Sequence, residues 1–169
     1  MSMLQSDYPG QICSVARTLE LVGERWTMLV IRDVLLGIRR FDDLQADLGI
    51  ARNVLAARLD KLVEHGILER RPYSERPLRH EYVPTEKGLD LWPAVHSLMQ
   101  WGDRHAPAKG GPPMVLEHRG CGGAVDAHRR CERCGEDLTA RSVRALAGPG
   151  AGPGHPLLRA GADGVPRAG

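Results

Sequence analysis

The sequence predicts a mainly α-helical fold with a small β-hairpin wing, an α+β arrangement, followed by a compact cysteine-bearing module. Three observations predict it. Apolar residues recur at helical spacing through most of the first 105 residues. Two short extended runs flank a basic loop between Ile67 and Pro84. Three of the four cysteines, Cys121, Cys131 and Cys134, fall within 14 residues. A hydrophobic content of 42% with 26% charged residues suits one ordinary globular domain with an appendage, and a chain of 169 residues has room for no more.

The elements follow in order. Val15, Leu19 and Val22 place a first helix over residues 11–22. From Trp26 to Ile38 the chain is almost wholly apolar apart from Arg32 and Asp33, which marks a buried central helix ended by Gly37. Trp26 belongs to the core on this reading, and Trp101 to the core or an interface. Arg39-Arg40-Phe41 is a short extended bridge. Asp42 and Asp43 then open a third helix, with acidic side chains at the positive end of its dipole, and Gly49 stops it. A fourth helix spans Ala51–His65, with Leu55, Leu59 and Leu62 on one face and Gly66 as its stop. Two helices joined by a tight glycine-containing turn form a helix-turn-helix. Ile67–Tyr73 and His80–Pro84 are two strands around the polar loop Ser74–Arg79, the wing. A last long helix runs from Thr85 to about His105, with Pro93 near its first turns. It carries Leu89, Trp92, Val95, Leu98, Met99 and Trp101, more apolar surface than a small domain covers alone, so a dimer seam is its expected use.

The domain plan is therefore a winged helix-turn-helix over residues 1–105, a linker at 106–113, a zinc-ribbon-like module at 114–140 and a Gly/Pro-rich tail at 141–169. From Gly148 onward 7 Gly and 4 Pro fill the last 22 positions, a composition that cannot bury a core. No apolar run approaches the roughly 20 residues that span a bilayer, and the N-terminus has no basic and apolar secretory pattern, so a cytoplasmic protein without membrane partners is expected.

A formal net charge of +2 gives little general attraction to nucleic acid, so any DNA contact rests on local placement of basic groups. With its leucines turned inward, the fourth helix offers Arg52, Asn53, Ala56, Ala57 and Lys61 outward, with Arg58 at the flank. Arg and Asn make bidentate contacts to guanine and adenine edges, and small alanines permit close approach in a major groove about 12 Å wide. Arg76 and Arg79 on the wing can reach a phosphate or the minor groove, and Arg39 and Arg40 can clamp the backbone from another side. Basic residues on an amphipathic helix also commonly form a solvated face, and Arg58 is equally a candidate for an internal salt bridge.

The module offers His118-Arg119-Gly120-Cys121-Gly122 and Cys131-Glu132-Arg133-Cys134-Gly135. In each, two ligand-type residues stand three apart with a glycine after the second, the spacing of a knuckle that curls backbone amides around a metal. In a reducing compartment such a cluster points to metal rather than disulfides. Together they make a closed Cys3His site for structural Zn2+, His118, Cys121, Cys131 and Cys134, with His128 as the rival fourth ligand. A segment with so few apolar groups needs that metal to fold. Cys13, at the first turn of the first helix with Arg17 one turn on, lies where the dipole favours a thiolate; a small buried apolar role is the alternative. No Gly-rich phosphate loop, Gly-x-Ser-x-Gly or carboxylate pair beside a histidine is present, and no enzyme is expected.

Residues 13–105 resemble the HxlR-type family of winged-helix transcription regulators, themselves similar to MarR proteins. The resemblance is carried by Cys13, the Gly-Glu-Arg-Trp-Thr run at 23–27, Arg40-Phe41, Val54-Leu55, Arg58-Leu59, Gly66-Ile67-Leu68, Pro77, Tyr82, Thr85-Glu86-Lys87-Gly88 and Trp101-Gly102. It implies a homodimer that buries its first and last helices together. It also implies two recognition helices on a pseudo-palindromic double-stranded operator, usually as a repressor. A cysteine at position 13 is, by that resemblance, a sensor of oxidants or small electrophiles, although Ser14 stands where the family usually has proline. The competing expectation is a protein-interaction adaptor that uses the winged helix and ribbon without sequence-specific DNA binding.

Overall fold

The computed structural model describes residues 8–155, which divide into two compact units: 8–34 with 38–88, and 35–37 with 89–155. The first unit holds helices α1 (Ser14–Val22), α2 (Thr27–Leu35, whose last residue falls in the second unit), α3 (Phe41–Leu48) and α4 (Arg52–Glu64). Strands β1 (Leu68–Glu75) and β2 (Leu78–Pro84) follow. The predicted apolar seams form its core: Val30, Ile31 and Val34 of α2, Leu44 of α3 and Leu55, Leu59 and Leu62 of α4 are all buried. Gly49 ends α3 in the left-handed conformation, and Ile50 in the turn packs inward, so α3 and α4 form the expected helix-turn-helix.

The wing is longer than the sequence reading made it. β1 and β2 pair antiparallel from Leu68↔Pro84 to Glu75↔Leu78, leaving Arg76-Pro77 as the turn, with an irregularity between Pro72 and Ser74 that leaves Tyr73 unpaired. Arg40 bridges to Glu81, and the Tyr82 N–H donates to the Arg39 carbonyl at 2.8 Å, so the extended Arg39-Arg40 segment adds a short third strand.

Three expectations need correction. The central helix is Thr27–Leu35, shorter than the apolar run, because Trp26 takes a left-handed φ of 78° and stays half-buried under the Arg25 guanidinium rather than entering the core. The last helix is broken into α5 (Glu86–Leu89) and α6 (Trp92–His105). Pro93 is the second residue of α6, in the first turn, where a missing N–H costs nothing. Lastly, the boundaries at 105 and 140 do not hold. Trp92 of α6 is buried with Cys131, Leu138 and Val143, so α6 shares the core of the second unit.

That unit also holds strands β3 (Met114–His118) and β4 (Val143–Ala147), paired antiparallel from Met114↔Ala147 to His118↔Val143. Beyond the ladder, Gly148 and Gly150 N–H groups donate to Pro113 and Pro112 carbonyls. The segment read as a linker and the start of the segment read as a tail are thus partners in one hairpin. Composition hid this, because backbone pairing needs no large side chains. The rest of the tail, 156–169, and residues 1–7 lie outside the described residues. Among the described residues no helix is long and apolar enough to cross a membrane.

Inside the first unit, α2 buries a charge. Asp33 Oδ1 accepts from Arg32 Nε at 2.8 Å, and Arg32 Nη2 reaches Asp47 Oδ2 at 3.2 Å, while Asp33 Oδ2 has no hydrogen-bond partner. Burial pushes the Asp33 carboxyl up to about 7 against the pull of Arg32. A carboxyl raised on folding favours the protonated folded state, so its contribution is full below its ordinary value near 3.8 and is lost as pH rises towards 7. Asp33→Asn removes that dependence. Between pH 5 and 7 the wild type should lose stability relative to Asp33→Asn, by at most about 1.4 kcal/mol per pH unit, measured by urea unfolding of both proteins. Parallel stability curves would refute the assignment.

Candidate nucleic-acid interface and metal centre

Helix α4 can show an outward face because its inward one is fully packed. Arg52, Asn53 and Ala57 are exposed and Ala56 is half-buried, close to the arrangement the sequence predicts. Arg52 is held in place: its Nη1 donates to Asp42 Oδ1 at 2.9 Å and to Gln45 Oε1 at 3.0 Å, and its guanidinium lies 4.6 Å from the Phe41 ring centroid. Asp42, one of the two acidic residues that open α3, therefore also orients the first arginine of α4.

The C-terminal half of that face is organised differently. Lys61 Nζ donates to Glu24 Oε1 at 2.7 Å, Arg58 pairs with the other Glu24 oxygen, and Arg58 Nε donates to the Arg25 carbonyl at 3.2 Å. The Lys61 hydrogen bond, helped by the Arg58 charge, holds the Glu24 carboxyl below its usual range. Lys61, expected on the outward face, and Arg58, expected at its flank, instead brace α4 against the segment between α1 and α2. The intramolecular alternative weighed for Arg58 is the one the geometry takes, and it extends to Lys61. Glu24 itself was legible only as a landmark of resemblance, because nothing local in the sequence signals a partner 37 positions away.

Arg76 and Arg79 are exposed at the tip of the wing. Arg40 is exposed and lies 4.4 Å from the Tyr73 ring centroid, alongside the hairpin. Arg39 differs: it is half-buried, its Nε has no hydrogen-bond partner among the described residues, and burial lowers its pKa. A backbone clamp from Arg39 is therefore not what the fold presents. Cys13 is exposed as the N-cap of α1, its Sγ accepting the Ala16 N–H at 3.4 Å. It is not the buried apolar residue of the alternative reading.

In the second unit, His118, Cys121, Cys131 and Cys134 bring one ligand atom each within 4.8 Å of one another. His118 Nδ1 lies 3.4 Å from the sulfurs of both Cys121 and Cys134, and the Cys121 and Cys131 sulfurs are 3.3 Å apart. Bonds of about 2.0–2.3 Å to a tetrahedral ion place ligand atoms about 3.5–3.8 Å from one another, so the donor set can hold a thiophilic metal ion with slight expansion. His128 is exposed and outside the cluster, its own N–H turned to Asp126.

The two knuckles account for the shape. Gly122 and Gly135 both take positive φ, 72° and 75°, at equivalent turn positions. Gly123 lets the backbone pass so close to Cys131 that a Cβ there would stand 2.4 Å from its sulfur. Backbone N–H groups, that of Cys134 first, hold the Cys131 thiol down to about 6, whereas the neighbouring Cys131 raises Cys121. A group missed from the sequence is Glu136, whose Oε2 is 3.7 Å from His118 Nε2. With Nδ1 turned to the sulfurs, the ring proton belongs on Nε2, facing this carboxylate, the arrangement that fixes a metal-binding imidazole. No fixed spacing announces such a residue.

The HxlR-like helix-turn-helix family matches residues 21–110. The chain belongs to that family. The HTH-type transcriptional regulator Rv3095 of Mycobacterium tuberculosis is 52% identical over 137 residues, covering 81% of this chain and 87% of its own. A match of that length necessarily includes residues 33–137, and so both His118–Cys134 and the helix-turn-helix with its wing. Among solved structures, PA1607, described as a candidate transcription factor, is 38% identical with a TM-score of 0.63, covering 80% of this chain and 94% of that one. The oxidised form of the redox regulator HypR is 30% identical with a TM-score of 0.52, covering 55% and 97%. As an HxlR-like protein the chain is a DNA-binding transcription regulator built on a winged helix.

For the metal centre, Glu136→Gln should weaken the reduced chain's affinity for cobalt(II) by about 10-fold, read by competition with a chromophoric chelator, while His128→Ala leaves it unchanged. A shift confined to His128→Ala would reverse the ligand assignment.

Proposed function

We propose that the chain is a homodimeric cytoplasmic repressor that reads a pseudo-palindromic duplex with α4, steadies itself with the wing, and carries a structural zinc ion in its C-terminal unit. The observation that carries this reading is the exposed Arg52–Asn53–Ala57 face of α4, on a helix whose other sides are packed or braced. Asn53 and Arg52 suit base edges, whereas Arg40, Arg76 and Arg79 suit phosphates. Homodimerisation is supported by unpartnered apolar surface on the segments the family pairs: Ile12 is 91% exposed and Val15 68%, next to and on α1, and Trp101 is 62% exposed on α6.

The DNA reading is tested by fluorescence anisotropy on the duplex upstream of the protein's own gene. Asn53→Ala should reduce discrimination between that duplex and a scrambled one by about 1–3 kcal/mol. Arg79→Ala should weaken both alike and lower the slope of log K against log salt by about 1. Binding without salt dependence, or equal affinity for both duplexes in the wild type, would favour the adaptor reading instead.

The exposed Cys13 thiol, at the positive end of α1, is the proposed point of response to oxidants or small electrophiles. The redox regulator among the structural relatives supports this for its own fold. Cys13→Ser should bind DNA with wild-type affinity and keep it after diamide or quinone treatment, whereas the wild type is released. Equal release of both proteins in the same gel-shift assay would move the response elsewhere.

A further inference from the structure

Cys131 belongs to two structures at once. Its sulfur stands in the four-ligand cluster, 3.3 Å from Cys121 Sγ, and its side chain is buried in the apolar cluster with Trp92, Leu138 and Val143. Trp92 opens α6, so a metal ligand and the helix touch through one shared core. One turn on, His96 stacks on Trp92 at 5.5 Å between ring centroids. It is buried, neither ring nitrogen has a hydrogen-bond partner among the described residues, and it feels the charges of Arg129 and Asp126 in the hairpin between the knuckles. The first turns of α6 are thus held to the metal-binding module chiefly by packing.

Among the described residues the fully buried part of that cluster is small, Trp92, Cys131, Leu138 and Val143, and its edge is closed by the partly buried Leu35, Leu116, Cys121, Val125 and Ala140, one of them a ligand itself. A core this small does not hold its shape without a cross-link, and four ligands closing on one ion are the cross-link. When the ion leaves, the knuckles lose their common centre, Cys131 is freed to move, and the Trp92 socket opens. Further along the same helix, Leu98 and Trp101 are exposed, on the surface assigned above to the partner subunit.

We propose that the four-ligand centre is an effector site, at which a thiophilic divalent cation of the zinc class sets α6 through the Cys131–Trp92 contact and thereby licenses the dimer to bind DNA. The proposal rests on the zinc and homodimer readings above. It adds that occupancy of the centre is read out at the operator.

The test uses the full-length protein and three measurements: zinc per chain, amide hydrogen exchange over residues 92–99, and affinity for the upstream duplex. Chelation should remove the zinc, speed exchange over 92–99 and weaken DNA binding at least 10-fold, and zinc re-addition should restore both. Cys134→Ser removes an exposed ligand outside the apolar cluster and should reproduce the chelated state. Trp92→Ala, which keeps all four ligands, should retain one zinc per chain and still bind DNA weakly. Unchanged exchange and DNA affinity after chelation, or full DNA affinity in zinc-loaded Trp92→Ala, would overturn the coupling and leave the zinc reading intact. A purified reduced chain that takes up no zinc would overturn both.

Discussion

Everything the first unit offers to DNA depends on how firmly α4 is seated. Leu55, Leu59 and Leu62 are completely buried, and burying each is worth about 1.5–3 kcal/mol, so rotation of the helix about its axis is opposed by several times the thermal energy. The Glu24 brace adds a second hold on the same helix. One carboxylate collects both Arg58 and Lys61, which ties the outer flank of α4 to the segment before α2. Partly exposed pairs of this kind add little to stability, but they fix direction. What remains unbraced is the Arg52–Asn53–Ala57 patch, and Arg52 is itself steered by Asp42, Gln45 and Phe41. The surface that faces outward is thus defined by subtraction.

The second unit solves a different problem. It has few large apolar side chains, and it uses geometry in their place: two glycine-turned knuckles, a five-residue ladder and a shared cluster around Cys131. The backbone N–H groups that favour a Cys131 thiolate and the carboxylate beside His118 Nε2 both prepare donors for a cation. Burial and ligand preparation therefore meet at one residue, Cys131.

Much of this was legible in the sequence, and the failures have a common cause. Periodic leucines fixed the faces of α4, and paired ligands with following glycines fixed the knuckles, because both signals are local. The four ligands predicted from spacing are the four the fold brings together. What sequence could not show were relations set by the tertiary fold: Glu24 reaching Arg58 and Lys61, Glu136 facing His118, and Gly148 and Gly150 pairing with Pro112 and Pro113. The start of the tail looked structureless because glycine and proline pack poorly, yet glycine N–H groups and proline carbonyls pair as well as any. The long terminal helix misled for the opposite reason. Its apolar residues were read as one face for one partner, when Trp92 serves the core of its own unit and Trp101 lies open.

This division along α6 also clarifies the charge balance. A chain of net charge +2 cannot rely on a general field to find DNA, and several of its arginines are committed internally: Arg32 to Asp33 and Asp47, Arg58 to Glu24, Arg70 to Asp60, Arg144 to Glu117. Each pair cancels charge locally, as Asp42 does for Arg52 on the α4 patch, whereas Arg76 and Arg79 stand exposed at the wing tip. In the proposed homodimer, affinity for duplex would depend on presenting two such patches together at the spacing of one operator, since one alone makes few phosphate contacts. On the proposed dimer, geometry between subunits would carry the weight that net charge does not, and for that reason the anchoring of the helix bearing Trp92 and Trp101 would bear on DNA binding as directly as any arginine.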